Sequence, residues 1–384
     1  MRILVVNGGS SSFKCWFHDV RAPLPGEAPR PLWEANVEWH GEPPLSEALP
    51  PVLESLWRGE RRVIGGPREI EAVGHRIVHG GGFRQTARVT AAVRAGIARE
   101  AEFAPAHNRF ELEALDAVER LLGPEVPQFA VFDTAFHATL EPAAYVYPVP
   151  YSWLADGVRR YGFHGINYQY CSRRAASMLG SDPENNGLRL VICHLGNGAS
   201  LAAVRAGKSV DTTMGFTPLE GLMMGTRSGS IDPGILIYLI RHRGDTADRL
   251  DRILNSESGL KGVSGWSGDM REIVSAAAAG NPRATLALDV YSHRLAREAG
   301  GMLAVLGGMD ALVFTGGVGE HTPIVRQRLC AQFAFLGLEL DAAKNASARG
   351  DTDIATAASH IRALVIHAGE EWEIARECFG AMNR

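Results

Sequence analysis

The 384-residue chain has little cysteine, no surplus of positive charge and no long apolar run. Its five cysteines, Cys15, Cys171, Cys193, Cys330 and Cys378, are scattered and form no CxxC pair. That pattern excludes a disulfide framework and a cysteine-based zinc site, and a reducing compartment, the cytoplasm, is expected. Lysine and arginine number 39 against 43 aspartate and glutamate, a net charge of −4. With no basic excess to neutralise a phosphate backbone, nucleic acid is not an expected partner. A small anion is different, because a few local Arg and His residues can hold it whatever the net charge. No segment approaches the ~18–20 apolar residues of a membrane span, so no membrane is expected. The opening residues Met1 to Asn7 lack the apolar length and cleavage site of a signal peptide. HExxH, GxSxG and Walker A patterns are also missing.

What is present is a series of short apolar runs that stop at glycine-rich turns. Residues 3–6 read as a strand, broken by Asn7-Gly8-Gly9-Ser10-Ser11-Ser12, and residues 13–17 read as a second strand. Pro-rich segments at 22–31 and 42–51 read as surface loops. Residues 71–79 read as a buried strand closed by Gly80-Gly81-Gly82. Residues 110–122 carry apolar side chains at helical spacing, and 128–132 form a strand that delivers Asp133. Pro148 and Pro150 suggest a boundary nearby. From about Leu188 the opening pattern returns: an apolar run at 190–193, the turn His194 to Ser200, and a strand at 201–204. A helix at 282–306 precedes a further strand at 311–314 and the turn Thr315 to Glu320. A last strand, 363–366, leads through Gly369-Glu370-Glu371 to a closing helix. Alternating strands and helices with glycine turns at strand ends predict an α/β protein whose ligand sits at the carboxyl ends of strands, in a cleft between two domains.

Several of these turns carry groups suited to an anion, each with a structural alternative. Asn7 to Lys14 offers open backbone, the Ser10 and Ser12 hydroxyls and the Lys14 charge, which suits a phosphate cradle or an ordinary hairpin. His194 with Gly196, Asn197 and Gly198 forms a second candidate cradle. Arg227 lies between Gly225 and Gly229, as a fork for phosphate or as a solvated loop residue. Arg76 is embedded in an apolar strand and needs an anion, either a ligand or an internal acid. Asp133 ends a strand as a catalytic acid or a helix cap, and His164 stands between Gly162 and Gly165 as an active group or a packed core residue. Glu370 and Glu371 suit a helix N-terminus or a hard cation. The inventory favours phosphoryl transfer, which needs positioning and charge stabilisation more than covalent machinery.

These segments, with Gly74-His-Arg-Ile-Val-His-Gly-Gly81, Phe132 to His137, Met214 to Leu222, Ile231-Asp-Pro233 and Gly317-Val-Gly-Glu320, resemble the acetate kinase family nearly end to end. The resemblance implies ATP + acetate ⇌ ADP + acetyl phosphate, with Mg2+ (Mn2+ as the alternative), a place in acetyl-CoA biosynthesis, and a homodimer. It implies a two-domain ribonuclease-H-like, actin-like ATPase fold: residues 1–148 with 371–384, and residues 149–370 with the nucleotide site and dimer interface. By similarity, Asn7 and Glu370 serve the metal, with Asp133 organising it. Arg76, Asp133, His164 and Arg227 are catalytic, and Arg76, Val78, Phe163 and Pro218 form the acetate site. Ser10, Ser12, Lys14, His194, Gly196, Asn197, Gly198, Asp269, Met270, Arg271, Gly317, Val318, Gly319 and His321 meet the nucleotide or its phosphates. The chain differs from the usual family pattern at Ala106, where a larger aliphatic residue is common, and at His321, where Asn is common. Ala106 opens a propionate or butyrate kinase as the alternative, because a methylene is worth only about 1–3 kcal/mol of discrimination.

Overall fold

The computed structural model describes residues 1–8, 12–38, 43–60, 62–102, 105–182 and 187–384. They form two compact units, Met1–Ala138 with Phe163–Tyr170 and Gly369–Arg384, and Thr139–Gly162 with Cys171–Ala368.

The first unit is built on six strands: β1 (Arg2–Gly8), β2 (Ser12–Asp19), β3 (Trp33–Glu38), β4 (Ala72–Ile77), β5 (Ala87–Arg88) and β6 (Gln128–Phe132). Their order is β3-β2-β1-β4-β6-β5. β1, β2 and β3 form an antiparallel meander, while β1, β4 and β6 run parallel. Ile3, Leu4, Val5 and Val6 are all buried, as a strand covered on both faces requires. On one face Leu4, Val6 and Val73 pack with Ala114, Ala117 and Val118 of the Pro105–Leu122 helix. On the other, the Glu370–Met382 helix lies so close to β4 that a Cβ on Gly74 would come within 2.6 Å of both Cys378 Sγ and Ile374.

The second unit repeats this plan with β7 (Arg189–Leu195), β8 (Ala199–Arg205), β9 (Lys208–Thr212), β10 (Ala311–Thr315), β11 (Thr352–Asp353) and β12 (Arg362–Val365). Read from its other edge, the order β9-β8-β7-β10-β12-β11 matches the first sheet strand for strand. The antiparallel meander, the parallel trio and the short antiparallel edge strand all recur. The repeated pattern read from the sequence is therefore a repeated topology.

Some local expectations change. The proline-rich stretch at 42–51 contains the start of a helix, Leu45–Glu54, despite Pro50 and Pro51 within it. Leu45, Leu49 and Leu53 fall on one face and are fully buried, and that burial outweighs two missing N–H donors. The glycine turn expected at 315–320 is instead a short helix, Gly316–His321. β3, whose sequence is hidden among proline-rich neighbours, is an added strand.

Candidate active site

In the first unit the carboxyl ends of three adjacent parallel strands bring polar groups together. β4 carries Arg76, β1 carries Asn7, and Asp133 follows β6, its N–H donating to the carbonyl of Ile77 at 2.9 Å. Arg76 donates to one oxygen of Asp133 from Nη2 at 2.6 Å and from Nε at 3.1 Å, and to Asn7 Oδ1 from Nη1 at 3.4 Å. Asp133 is buried. Burial alone would lower the basicity of Arg76, but the charges of Asp133 and Glu370 outweigh it and hold the guanidinium firmly protonated. Of the two readings of Arg76, the structure shows the internal acid. Asp133 is committed to that arginine rather than serving only as a helix cap.

The segment Phe163-His164-Gly165 is locked against this pair. Gly165 N–H donates to the Asp133 carbonyl at 3.0 Å, and a Cβ at Gly165 would collide with that same oxygen. His164 takes a left-handed backbone, φ +59°, which a side chain other than glycine rarely adopts. Such strain is retained where surrounding contacts over-determine it, and it clusters at working sites. Phe163 is buried, its carbonyl meets His137 Nε2 at 3.1 Å, and its ring lies 5.6 Å from that of His79. Val78, also buried, leaves the sheet just after Arg76.

Two residues that sequence reasoning missed hold this loop. Val78 N–H donates to both carboxyl oxygens of Glu111, at 3.1 and 3.2 Å. His79 N–H donates to Asn108 Oδ1 at 3.2 Å, and Asn108 Nδ2 returns a bond to the His79 carbonyl at 3.0 Å. Burial raises the Glu111 carboxyl to about 8, opposed by the charge of Arg76. The available signal was an acid inside an apolar stripe: Glu111 shares its helix face with Leu115 and Val118, both buried. On the opposite flank, Lys14 is exposed and sits across the β1–β2 pair from Asn7. Ser10 lies outside the described residues, as do the side chains of Ser12 and Ala106.

The second unit contains Arg227 in a different setting. Its Nη1 donates to the carbonyl of Pro218 at 3.2 Å and approaches Met224 Sδ at 3.9 Å. Among the described residues it meets no carboxylate, and burial lowers its basicity. The Pro218 loop is fixed from behind. Arg160 donates to the carbonyls of Thr212, Thr213 and Met214 at 2.9–3.0 Å and to Glu220 at 2.7 Å, and Tyr147 also bonds to Glu220. A half-buried guanidinium with no acid beside it among the described residues keeps donors available for an anion.

A cavity of about 430 Å³ opens in the same unit, within the size range of small-ligand sites. Gly196, Asn197, Asp269, Met270, Arg271, Gly317, Val318 and His321 line it, as do Leu260, Gly268, Tyr291 and Thr322, which sequence reasoning missed. Its walls are held at glycines. A Cβ on Gly225 would collide with Asn197 Oδ1, and Gly268 packs with its own Cβ position 2.8 Å from the Gly225 carbonyl. Asp269 caps the Met270–Ala278 helix through Arg271 N–H at 2.8 Å. The Tyr291 hydroxyl is buried with no hydrogen-bond partner among the described residues. His194, Gly198 and Gly319 are not in the lining. His194 is the next-to-last residue of β7, the Gly198 carbonyl closes the turn by accepting Gly196 N–H at 3.0 Å, and Gly319 is buried against the backbone of Phe314.

Among the described residues no group of three or more His, Cys, Asp or Glu is placed to hold a metal ion unaided. Asn7, Asp133 and Glu370 offer only oxygen donors. That set fits a hard divalent cation that takes its other ligands from phosphate and water.

The chain is similar to known proteins along nearly its whole length. An acetokinase family profile matches residues 2–376. The chain is 54% identical over 407 aligned residues to an acetate kinase of Gloeobacter violaceus, covering 100% of both sequences. The crystal structure of Porphyromonas gingivalis acetate kinase matches with a TM-score of 0.88 at 38% identity, covering 99% of each chain. A propionate kinase from Francisella tularensis matches with the same TM-score at 34% identity, again over 99% of each chain. The two six-stranded units are those of the two-domain actin-like ATPase fold that acetate kinases share. The chain belongs to the acetokinase family.

Proposed function

We propose that the protein transfers the γ-phosphoryl group of ATP reversibly to the carboxylate of acetate, giving acetyl phosphate and ADP by direct in-line attack. The observation that carries this reading is Arg227, a half-buried guanidinium without an acid among the described residues. An acetate oxygen forms the new bond to phosphorus, the bond to the bridging oxygen breaks, and its electron pair leaves with ADP. No general base is needed, because acetate is ionised at neutral pH.

Arg76, held by Asp133 and Asn7, orients the acetate carboxylate, and Val78, Phe163 and Pro218 wall its methyl group. Arg227 and His164 donate to the equatorial oxygens of the transferring group, where charge stabilisation has most effect. The lined cavity takes the nucleoside, with Asp269, Met270, Arg271 and His321 near it and Gly317 and Val318 beneath. His194, Gly196, Asn197, Gly198 and Gly319, with Ser10, Ser12 and Lys14, serve the phosphate chain. Asn7 and Glu370, with Asp133, hold Mg2+ or Mn2+, which neutralises phosphate charge when bound.

We also place the protein in the cytoplasm as a homodimer, in the route to acetyl-CoA. All five thiols are buried and none forms a disulfide, and among the described residues no helix is long and apolar enough to cross a membrane. The Pro233–Arg243 helix has no buried residue, and Ile235, Ile237, Tyr238 and Ile240 are 46–59% exposed. A helix so apolar calls for a covering surface, and a second copy of the chain supplies it.

The test is a hydroxamate endpoint assay with Mg2+-ATP and acetate, propionate or butyrate. Acetate is expected to give the highest kcat/KM. The absence of acyl phosphate from every acid would overturn the proposal, and a higher kcat/KM with propionate or butyrate would reassign the acceptor.

A further inference from the structure

We propose that Glu111 is a positioning residue for the acyl acceptor: through the Val78 backbone it holds the wall on which the apolar tail of the carboxylate substrate packs. The inference rests on the reading of Arg76, Val78 and Phe163 as the acceptor site. β4 ends at Ile77, so the next N–H loses its ladder partner while still buried. A buried N–H must find an acceptor, and Glu111 supplies it at 3.1 and 3.2 Å. One turn earlier on the same helix, Asn108 holds both backbone groups of His79, at 3.2 and 3.0 Å. His79 in turn packs on Phe163. Two side chains three residues apart therefore fix both the Val78 wall and the support of the Phe163 wall.

The charge of the group matters as well. Glu111 is only 2% exposed, and the charged groups that act on it are Arg76 on β4 and Asp133 after β6. An ionised second acid there would compete with the incoming carboxylate for the field of Arg76. Burial favours the neutral acid, which still accepts the Val78 N–H without adding an anion. Glutamine keeps both properties; alanine and methionine remove the acceptor.

Steady-state KM values for acetate and for ATP, with kcat, test this in Glu111→Ala and Glu111→Gln. Alanine is expected to raise KM for acetate about three- to tenfold, the effect of one lost hydrogen bond, with KM for ATP unchanged. Glutamine is expected to restore KM for acetate to within about threefold of the native value. If the alanine protein does not fold, Glu111→Met keeps most of the volume, lacks the acceptor and carries the same expectation. An unchanged KM for acetate, a parallel rise in both KM values, or glutamine behaving like alanine would overturn the proposal. Arg76→Ala, assayed alongside, separates the two readings. A rise in KM for acetate there with none in Glu111→Ala overturns the role of Glu111 alone. No change in either overturns the acceptor-site reading beneath it.

Discussion

The two units share one strand order and differ in what stands at the strand ends. At the ends of β1, β4 and β6 the first unit has Asn7, Arg76 and Asp133, already bonded to one another. At the corresponding level of β7 and β10 the second unit has the pair His194 and Thr315, and glycine turns open a cavity beside them. Its half-buried cation, Arg227, belongs to a loop rather than to a strand, and bonds to a carbonyl. The frame decides where a ligand can sit, and the residues at the strand ends decide which ligand. On the proposed reading, the preformed ion pair orients one small carboxylate and the open cavity accepts a flat nucleoside.

The largest effect expected of this contrast is on catalysis and stability together. Arg76→Ala and Arg227→Ala should each lower kcat by about 10³-fold, as the loss of a charge-stabilising arginine does. Urea unfolding should separate them. Arg76→Ala leaves Asp133 buried without its cation and should cost about 3–5 kcal/mol, whereas Arg227→Ala breaks no ion pair among the described residues and should leave stability unchanged or raised. Equal stability losses in both variants would erase the distinction between the two arginines.

Acid should weaken the first unit. Burial lowers the His18 and His75 imidazoles, to about 4 and about 3. Below pH 6.5 the unfolded chain takes these protons while the folded chain does not, so stability falls with pH. Between pH 6.5 and 4 each histidine removes up to roughly 3 kcal/mol. Urea unfolding at pH 5 and 7 measures the slope, and His18→Leu should flatten it. An unaltered slope would remove His18 from the account.

A smaller effect should appear in the second unit only. Gly225→Ala forces a side chain into Asn197 and the Gly268 carbonyl. KM for ATP is expected to rise about tenfold, or ~1.4 kcal/mol, with KM for acetate little changed. If KM for acetate rises equally, the assignment of the cavity to the nucleotide alone fails.

Much of this was legible in local sequence. Strand ends marked by Asn-Gly-Gly and Gly-Asn-Gly, and the strands beside them, follow from short-range chemistry. The arginine in its apolar strand announced a buried anion, although Asp133 as its partner, 57 positions away, required the parallel pairing of β4 with β6. Proline content misled at Leu45–Glu54, where burial of three leucines outweighed a local preference. Glu111 was overlooked because its surroundings come from a strand, a loop and a helix that only folding brings together.

By itself the sequence determined the α/β class, the repeated strand-turn-strand pattern, the acetokinase motifs and the residues that could meet an anion, because these depend on neighbours within a few positions. Tertiary structure alone decided which acid Arg76 holds, that Arg227 meets none among the described residues, and that Glu111 secures Val78. Those outcomes depend on burial and on distances between residues far apart in the chain, and no local pattern encodes them.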